Sequence, residues 1–130
     1  MVSRTRVSES AIAALKAERV RDAMLSITFV GSAAISELNR RYLGHYGPTD
    51  VISFGLGRHG KRGAVVGDIY ICPEIARENA KRQGVPMGEE VLRLVVHGTL
   101  HVLGHDHPTG ASRTSSPMWR RQERILARVL

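Results

Sequence analysis

Cysteine is almost absent: Cys72 is the only one in 130 residues. An intramolecular disulfide and a cysteine-built zinc knuckle are therefore excluded, and any metal centre must be made from His, Asp and Glu. Cys72 itself reads as a small buried residue at a strand end. Long apolar runs are missing too. The most apolar stretch, Val91 to Val96, is interrupted by Arg93 and falls far short of the ~20 residues that cross a bilayer. The opening segment MVSRTRVSES has no apolar core of the signal-peptide kind, so the expected location is the cytoplasm and no membrane partner is expected. Acid is in deficit: 12 Asp and Glu against 19 Lys and Arg give a net charge of +7. Such a field attracts polyanions, nucleic acid first among them, and says nothing about fold. Aromatics make up only 5% of the chain. With Trp119, Tyr42, Tyr46 and Tyr70 as the large candidates, recognition through backbone and shape is favoured over base readout.

What is present is ordinary for a globular chain, with 42% hydrophobic and 24% charged residues, and the length predicts one domain over 1–130. Ser8 to Asp22 reads as a helix with Ser8 as N-cap and Ile12 and Leu15 on one face. Leu25 to Val30 alternates as a half-buried strand does. Ser32 caps a second helix through about Tyr42. Val51 to Leu56 and Ala64 to Cys72 are predicted strands, paired most simply as a hairpin across a flexible basic loop, Gly57 to Gly63. Gly67 inside the latter strand suggests a bulge or a close backbone approach. Pro73 opens a third helix that ends near Gly84. Glu89 and Glu90 open a fourth, apolar on nearly every side and hence central, which stops at Gly104. After a Ser, Thr and Gly loop, Pro117 starts a last helix with Met118, Ile125 and Val129 on its apolar side. The fold class is α+β: a small mixed sheet packed on a central helix, with further helices around it.

Four of the six histidines fall between positions 97 and 107. His97 and His101 are four apart on the fourth helix, so their rings project from one face a turn apart. Gly104 ends that helix where a left-handed residue is needed, and the reversing chain can bring His107 back to the same point. The pattern HxxxHxxGxxH thus predicts one transition metal ion on His97, His101 and His107, with Zn²⁺ favoured by all-imidazole ligation. Three protein ligands leave a fourth position open, as in catalytic sites, where the ion can lower the pKa of bound water toward about 7. Metzincin proteases share the spacing but carry a Glu after the first His as general base. Here that position is Gly98, which costs about 1 kcal/mol against alanine in mid-helix. The expected reason is close approach of a neighbouring backbone or a bulky substrate.

The segment VVHGTLHVLGHDH resembles the HGxLHLxGYDH signature of the bacterial rRNA-maturation endoribonucleases, the YbeY family. LNRRYLGHYGPTDVISF resembles that family's segment ending in PTDVLSF, GDIYIC its GDIxIC strand, and MWRRQERIL its C-terminal helix. The resemblance runs from about Leu25 to the end. It implies a zinc-metalloprotease-like core and a metal-dependent, single-strand-selective endoribonuclease, with zinc on the same three histidines. It further implies work on the 3′ end of small-subunit rRNA and in ribosome quality control, with single-stranded rRNA, the small ribosomal subunit and the GTPase Era as partners. The chain departs from the family at three places. Leu43 stands where the family has an Arg proposed to act on the phosphate, with Arg40 and Arg41 nearby as candidate substitutes. His105 replaces a Tyr, near enough to the metal for a hydrogen-bond donor behind the ligands or an alternative ligand; because it lies past the helix-ending Gly104, it is expected not to be a ligand. A first strand typical of the family is reduced to a stub around Thr5 to Val7.

Asp106 reads as a hydrogen-bond partner of a ligating imidazole or a turn former, and less as a catalytic base. Asp50 is expected to fix the turn into the strand that follows it. Ser53 and Asp68 are weaker cleft candidates. Arg58, Lys61 and Arg62, with Arg120, Arg121, Arg124 and Arg128, supply an RNA-facing surface or simply a solvated one. Two rival readings stand beside the nuclease: a metalloprotease with its base from elsewhere, and a non-catalytic RNA-binding assembly factor with a stabilising zinc.

Overall fold

The computed structural model describes residues 2–106 and 116–130. His107 and the Ser, Thr and Gly loop lie outside them. In order come helix Arg4–Ala17 (α1), strand Ala23–Phe29 (β1) and helix Ser32–Leu38 (α2), which runs into a π-helical turn over Asn39–Leu43. Strands Val51–His59 (β2) and Ala64–Ile71 (β3) follow, then helices Pro73–Gln83 (α3), Met87–Val102 (α4) and Pro117–Val129 (α5). The expected α+β class holds. The sheet is mixed, in the order β1-β3-β2, with β1 parallel and β2 antiparallel to the central β3.

Strand alternation gives the sheet two different faces. Val65, Gly67, Ile69 and Ile71 of β3 are buried, and the three apolar side chains share a core with Val91, Leu94, Val95 and Val102 of α4. On the opposite face, Ile52 is buried with Ile35 of α2 and Cys72, and Phe54 and Tyr70 pack around them. As predicted, α4 is the central helix, buried from Glu90 to Leu100.

Two steric keys lock α4 to the sheet. A Cβ on Gly98 would lie 2.8 Å from Cγ2 of Ile69, and one on Gly67 would lie 2.5 Å from Cγ1 of Val102. The strand thus pushes a knob into the helix at Gly98, and the helix pushes one into the strand at Gly67. Gly55, cross-strand partner of Gly67, widens the hollow, since its Cβ would meet the Val102 carbonyl oxygen at 3.2 Å. The spacings agree: four helical residues advance about 6 Å and two strand residues about 6.6 Å. The expected bulge is real, but it sits in β2, between Gly55 and Arg58. The room at Gly98 is taken by the Ile69 side chain, not by a backbone or a substrate.

Several local expectations are corrected. The first helix starts earlier, with Ser3 as N-cap accepting from the Arg6 amide at 3.2 Å. It buries Val7, Ser10, Ala11 and Ala14, while Ile12 is 47% exposed. It stops at Ala17, and Arg19 takes a left-handed conformation at φ 58°. The stub around Thr5 to Val7 is part of this helix, so it is not a strand remnant. Gly31, not Ser32, caps α2; the Ser32 hydroxyl donates instead to Glu74 at 2.8 Å. Gly57, Arg58 and His59, expected in a loop, continue β2, because the bulge absorbs the glycine that made them look irregular. Helix α4 starts at Met87, ahead of Glu89 and Glu90, which lie in its first turn where the helix dipole favours acid.

Candidate metal centre and its polar support

His97 and His101 project from α4 as the spacing requires, their rings edge to face with centroids 4.7 Å apart. His97 is buried and its Nδ1 lies 2.7 Å from Oε1 of Gln122 on α5. An amide oxygen only accepts, so Nδ1 carries the proton in this bond. This is the tautomer a metal-ligating imidazole needs when its other nitrogen is held by a partner. Nδ1 of His101 lies 3.7 Å from Oδ1 of Asp106, too long for a direct hydrogen bond, and the Asp106 side chain is 92% exposed. Two imidazoles so arranged are a donor set suited to zinc and its neighbours in the first transition row. His107, the third expected ligand, is outside the described residues.

His105 turns elsewhere. Its Nε2 is hydrogen-bonded to Glu18 at the end of α1, and Arg121 of α5 donates to the same carboxylate at 2.5 Å. Burial raises the Glu18 carboxyl, but the hydrogen bonds from His105 and Arg121 outweigh it and hold the group below the ordinary glutamate range.

Behind His97 stands a second polar layer that sequence reasoning missed. Gln122 donates its amide to Glu123 at 3.1 Å, and Glu123 accepts from Nε of Arg93 at 3.0 Å. Arg93 also donates to Glu90 at 2.8 Å and to Glu89 at 3.0 Å. Burial alone would lower the Arg93 pKa, yet its bonds to Glu123, Glu90 and Glu89 push it higher. Burial raises the Glu90 carboxyl above its ordinary range, Arg93 opposes this, and the nearby charge of Asp50 adds to it. Removing one partner from such a buried pair typically costs about 3–5 kcal/mol, because the other charge is left without compensation. The signals were there to read: Arg93 lies three and four residues after two glutamates, and Gln122 interrupts the stripe of Met118, Ile125 and Leu126 that α5 buries.

Next to His97 opens a cavity of about 660 Å³ whose lining includes Asp50, Asn79, Glu90, Arg93, Trp119 and Gln122. Asp50 does fix the turn into β2. Its Oδ1 accepts from the Val51 amide at 2.8 Å and its Oδ2 from Asn79 at 2.9 Å. Ser53 pairs with Ile69 and so lies on the α4 side of the sheet. Asp68 pairs with Phe54 and lies on the far face, bonded to Ser26 at 2.6 Å, which removes it as a cleft carboxylate. Arg40 bonds Glu37 at 2.6 Å and Arg41 lies over the Tyr42 ring at 5.9 Å. Neither they nor Leu43 line the cavity beside His97. Arg58 donates to the Gly63 carbonyl at 3.0 Å and Arg62 approaches Asp22 at 3.8 Å, while Arg120, Arg124 and Arg128 are exposed along α5. No described helix is long and apolar enough to cross a membrane.

The profile of the family described as "Endoribonuclease YbeY" matches residues 3–130. A protein of that name from Moorella thermoacetica is 42% identical over 127 residues, covering 90% of this chain and 80% of its own. Another from Beutenbergia cavernae is 46% identical over 92 residues, 65% of this chain. The chain spans 61% of the Beutenbergia protein and 53% of a relative from Kineococcus radiotolerans. The solution structure of TM1509 from Thermotoga maritima superposes with a TM-score of 0.61 at 28% identity, covering 99% of this chain and 85% of its own. With the family profile matched over nearly its whole length, this chain belongs to the endoribonuclease YbeY family.

Proposed function

We propose that residues 1–130 form a single metal-dependent hydrolase domain that cuts single-stranded RNA, with Zn²⁺ held by His97, His101 and His107. The observation that carries this reading is the pair of adjoining imidazoles on α4, one with its Nδ1–H already committed to Gln122 at 2.7 Å. A bound zinc would supply Lewis acidity toward the scissile phosphodiester. The protein's share is to hold the ligands, present the phosphate and steer the polyanion. Arg41 lies outside the cavity beside His97. It is proposed to contact the backbone of an RNA that extends past that cavity, in place of the family arginine absent at Leu43, because the Nε and Nη2 groups of Arg40 already donate to Glu37. Asp106, near His101, is assigned to support rather than to base catalysis. The family supports a role in maturing the 3′ end of 16S rRNA and in ribosome quality control in the cytoplasm, with the small ribosomal subunit and the GTPase Era as partners.

The test pairs metal analysis with cleavage of a single-stranded RNA by the wild type and by His101→Ala and Arg41→Ala. One zinc per chain is expected in the wild type and a large loss in His101→Ala. Loss of Arg41 should leave the metal in place and slow turnover of the RNA. Peptide cleavage without RNA cleavage would select the protease reading. Zinc-dependent folding without hydrolysis would select a non-catalytic assembly factor.

A further inference from the structure

We infer that Gln122 is a positioning residue for His97, setting the tautomer and ring angle in which Nε2 is offered to the metal ion. This rests on the proposed metal site. Gln122 is 1% exposed and His97 8%, so water does not compete for the 2.7 Å bond between them. The amide cannot flip without loss, because its nitrogen donates to Glu123. Glu123 is held by two nitrogens of Arg93, at 3.0 and 3.2 Å, and Arg93 is fixed to its own helix by Glu89 and Glu90. Arg93 and His97 stand one turn apart on α4, and Gln122 and Glu123 are neighbours on α5.

The bonds therefore run from Arg93 across to α5 and back to His97, closing a loop that spans the two helices. Its three carboxylates are gathered on Arg93, and the group that reaches the imidazole is a neutral amide. A neutral acceptor fixes the ring through its Nδ1–H. Gln122 thus does for His97 what a carboxylate or a backbone carbonyl does for a ligating histidine in many zinc sites.

The test uses the full chain and two readouts besides activity. In the metal-free wild type, imidazole nitrogen NMR should show His97 as the Nδ1–H tautomer. Gln122→Met keeps the length and burial of the side chain but removes the acceptor. It should abolish that tautomer preference and weaken Zn²⁺ or Co²⁺ binding about 10–100-fold, the usual cost of losing such a partner. An unchanged metal-free melting temperature would separate this from a packing defect. An Nε2–H tautomer in the wild type overturns the inference, as does a Gln122→Met protein that folds and binds metal as the wild type does. If the methionine variant does not fold, the wild-type tautomer alone decides. A wild type with the Nδ1–H tautomer but no metal affinity would instead defeat the zinc reading and leave the positioning intact.

Discussion

At the scale of single residues, Glu18 carries more than its place at the end of a helix suggests. One carboxylate receives His105 and Arg121, and so ties the end of α1 to the residues after Gly104 and to α5. Its folded pKa lies below the ordinary value. The stabilisation it gives is therefore fully present above the unfolded value of about 4.3 and is lost as pH falls through the lowered folded value. Glu18→Gln should melt below the wild type near neutral pH, and the gap should close in acid. Thermal melts across that range check this, and a pH-independent gap would show that the carboxylate's charge is not what matters. None of this was legible in the sequence. Glu18 and His105 are 87 positions apart, and although His105, lying past Gly104, is expected not to be a ligand, nothing in the sequence points it at a helix end.

Among the elements, legibility followed the strength of the local signal. Helix α3 was readable at both ends, because Pro73 fits a first helical position and Gly84 adopts φ 68° just past the last. The hairpin of β2 and β3 was readable from alternation. The start of α1 was not, since Ser3 and Ser8 are equal as caps and only the burial of Val7 against the core decides between them. The far half of β2 was not either, since two glycines among basic residues look like a loop until β3 supplies the pairing. The helix carrying the two histidines was legible as an element, but its seat on the sheet was not. Gly98 illustrates the point. Alanine there gains about 1 kcal/mol of helix propensity but forces a Cβ onto the branched, fully buried Ile69, and overpacking of this kind costs about 1–3 kcal/mol. Gly98→Ala should therefore destabilise the wild type, yet be neutral or stabilising in an Ile69→Ala background. A double-mutant cycle by denaturant unfolding measures the coupling, and additive effects would mean the contact is not what keeps the glycine.

For the molecule as a whole, the net charge of +7 is unevenly committed. Arg93, Arg40 and Arg121 are paired with acids, while Arg120, Arg124 and Arg128 stand exposed along α5. Binding to single-stranded RNA should weaken steeply with salt, with a log–log slope of about −0.7 per phosphate neutralised. Replacing these three arginines with glutamine should flatten that slope and leave metal content unchanged. An unaltered slope would move the RNA path to another surface.

The interlock between α4 and β3 has a consequence for how such a protein can be regulated. Many switches work by ratcheting one helix past its neighbour, often by a whole turn of about 5.4 Å. Here that route is closed. To slide, Val102 would have to climb out of the hollow between Gly55 and Gly67, while Ile69 would meet a helical turn that bears a Cβ. The two imidazoles therefore travel only with the sheet, and an effector has no second resting position of α4 to favour. Control of the proposed metal centre would then fall to what approaches it, by competition for the proposed ligands or for the cavity beside His97, rather than to a shift between two shapes of its scaffold.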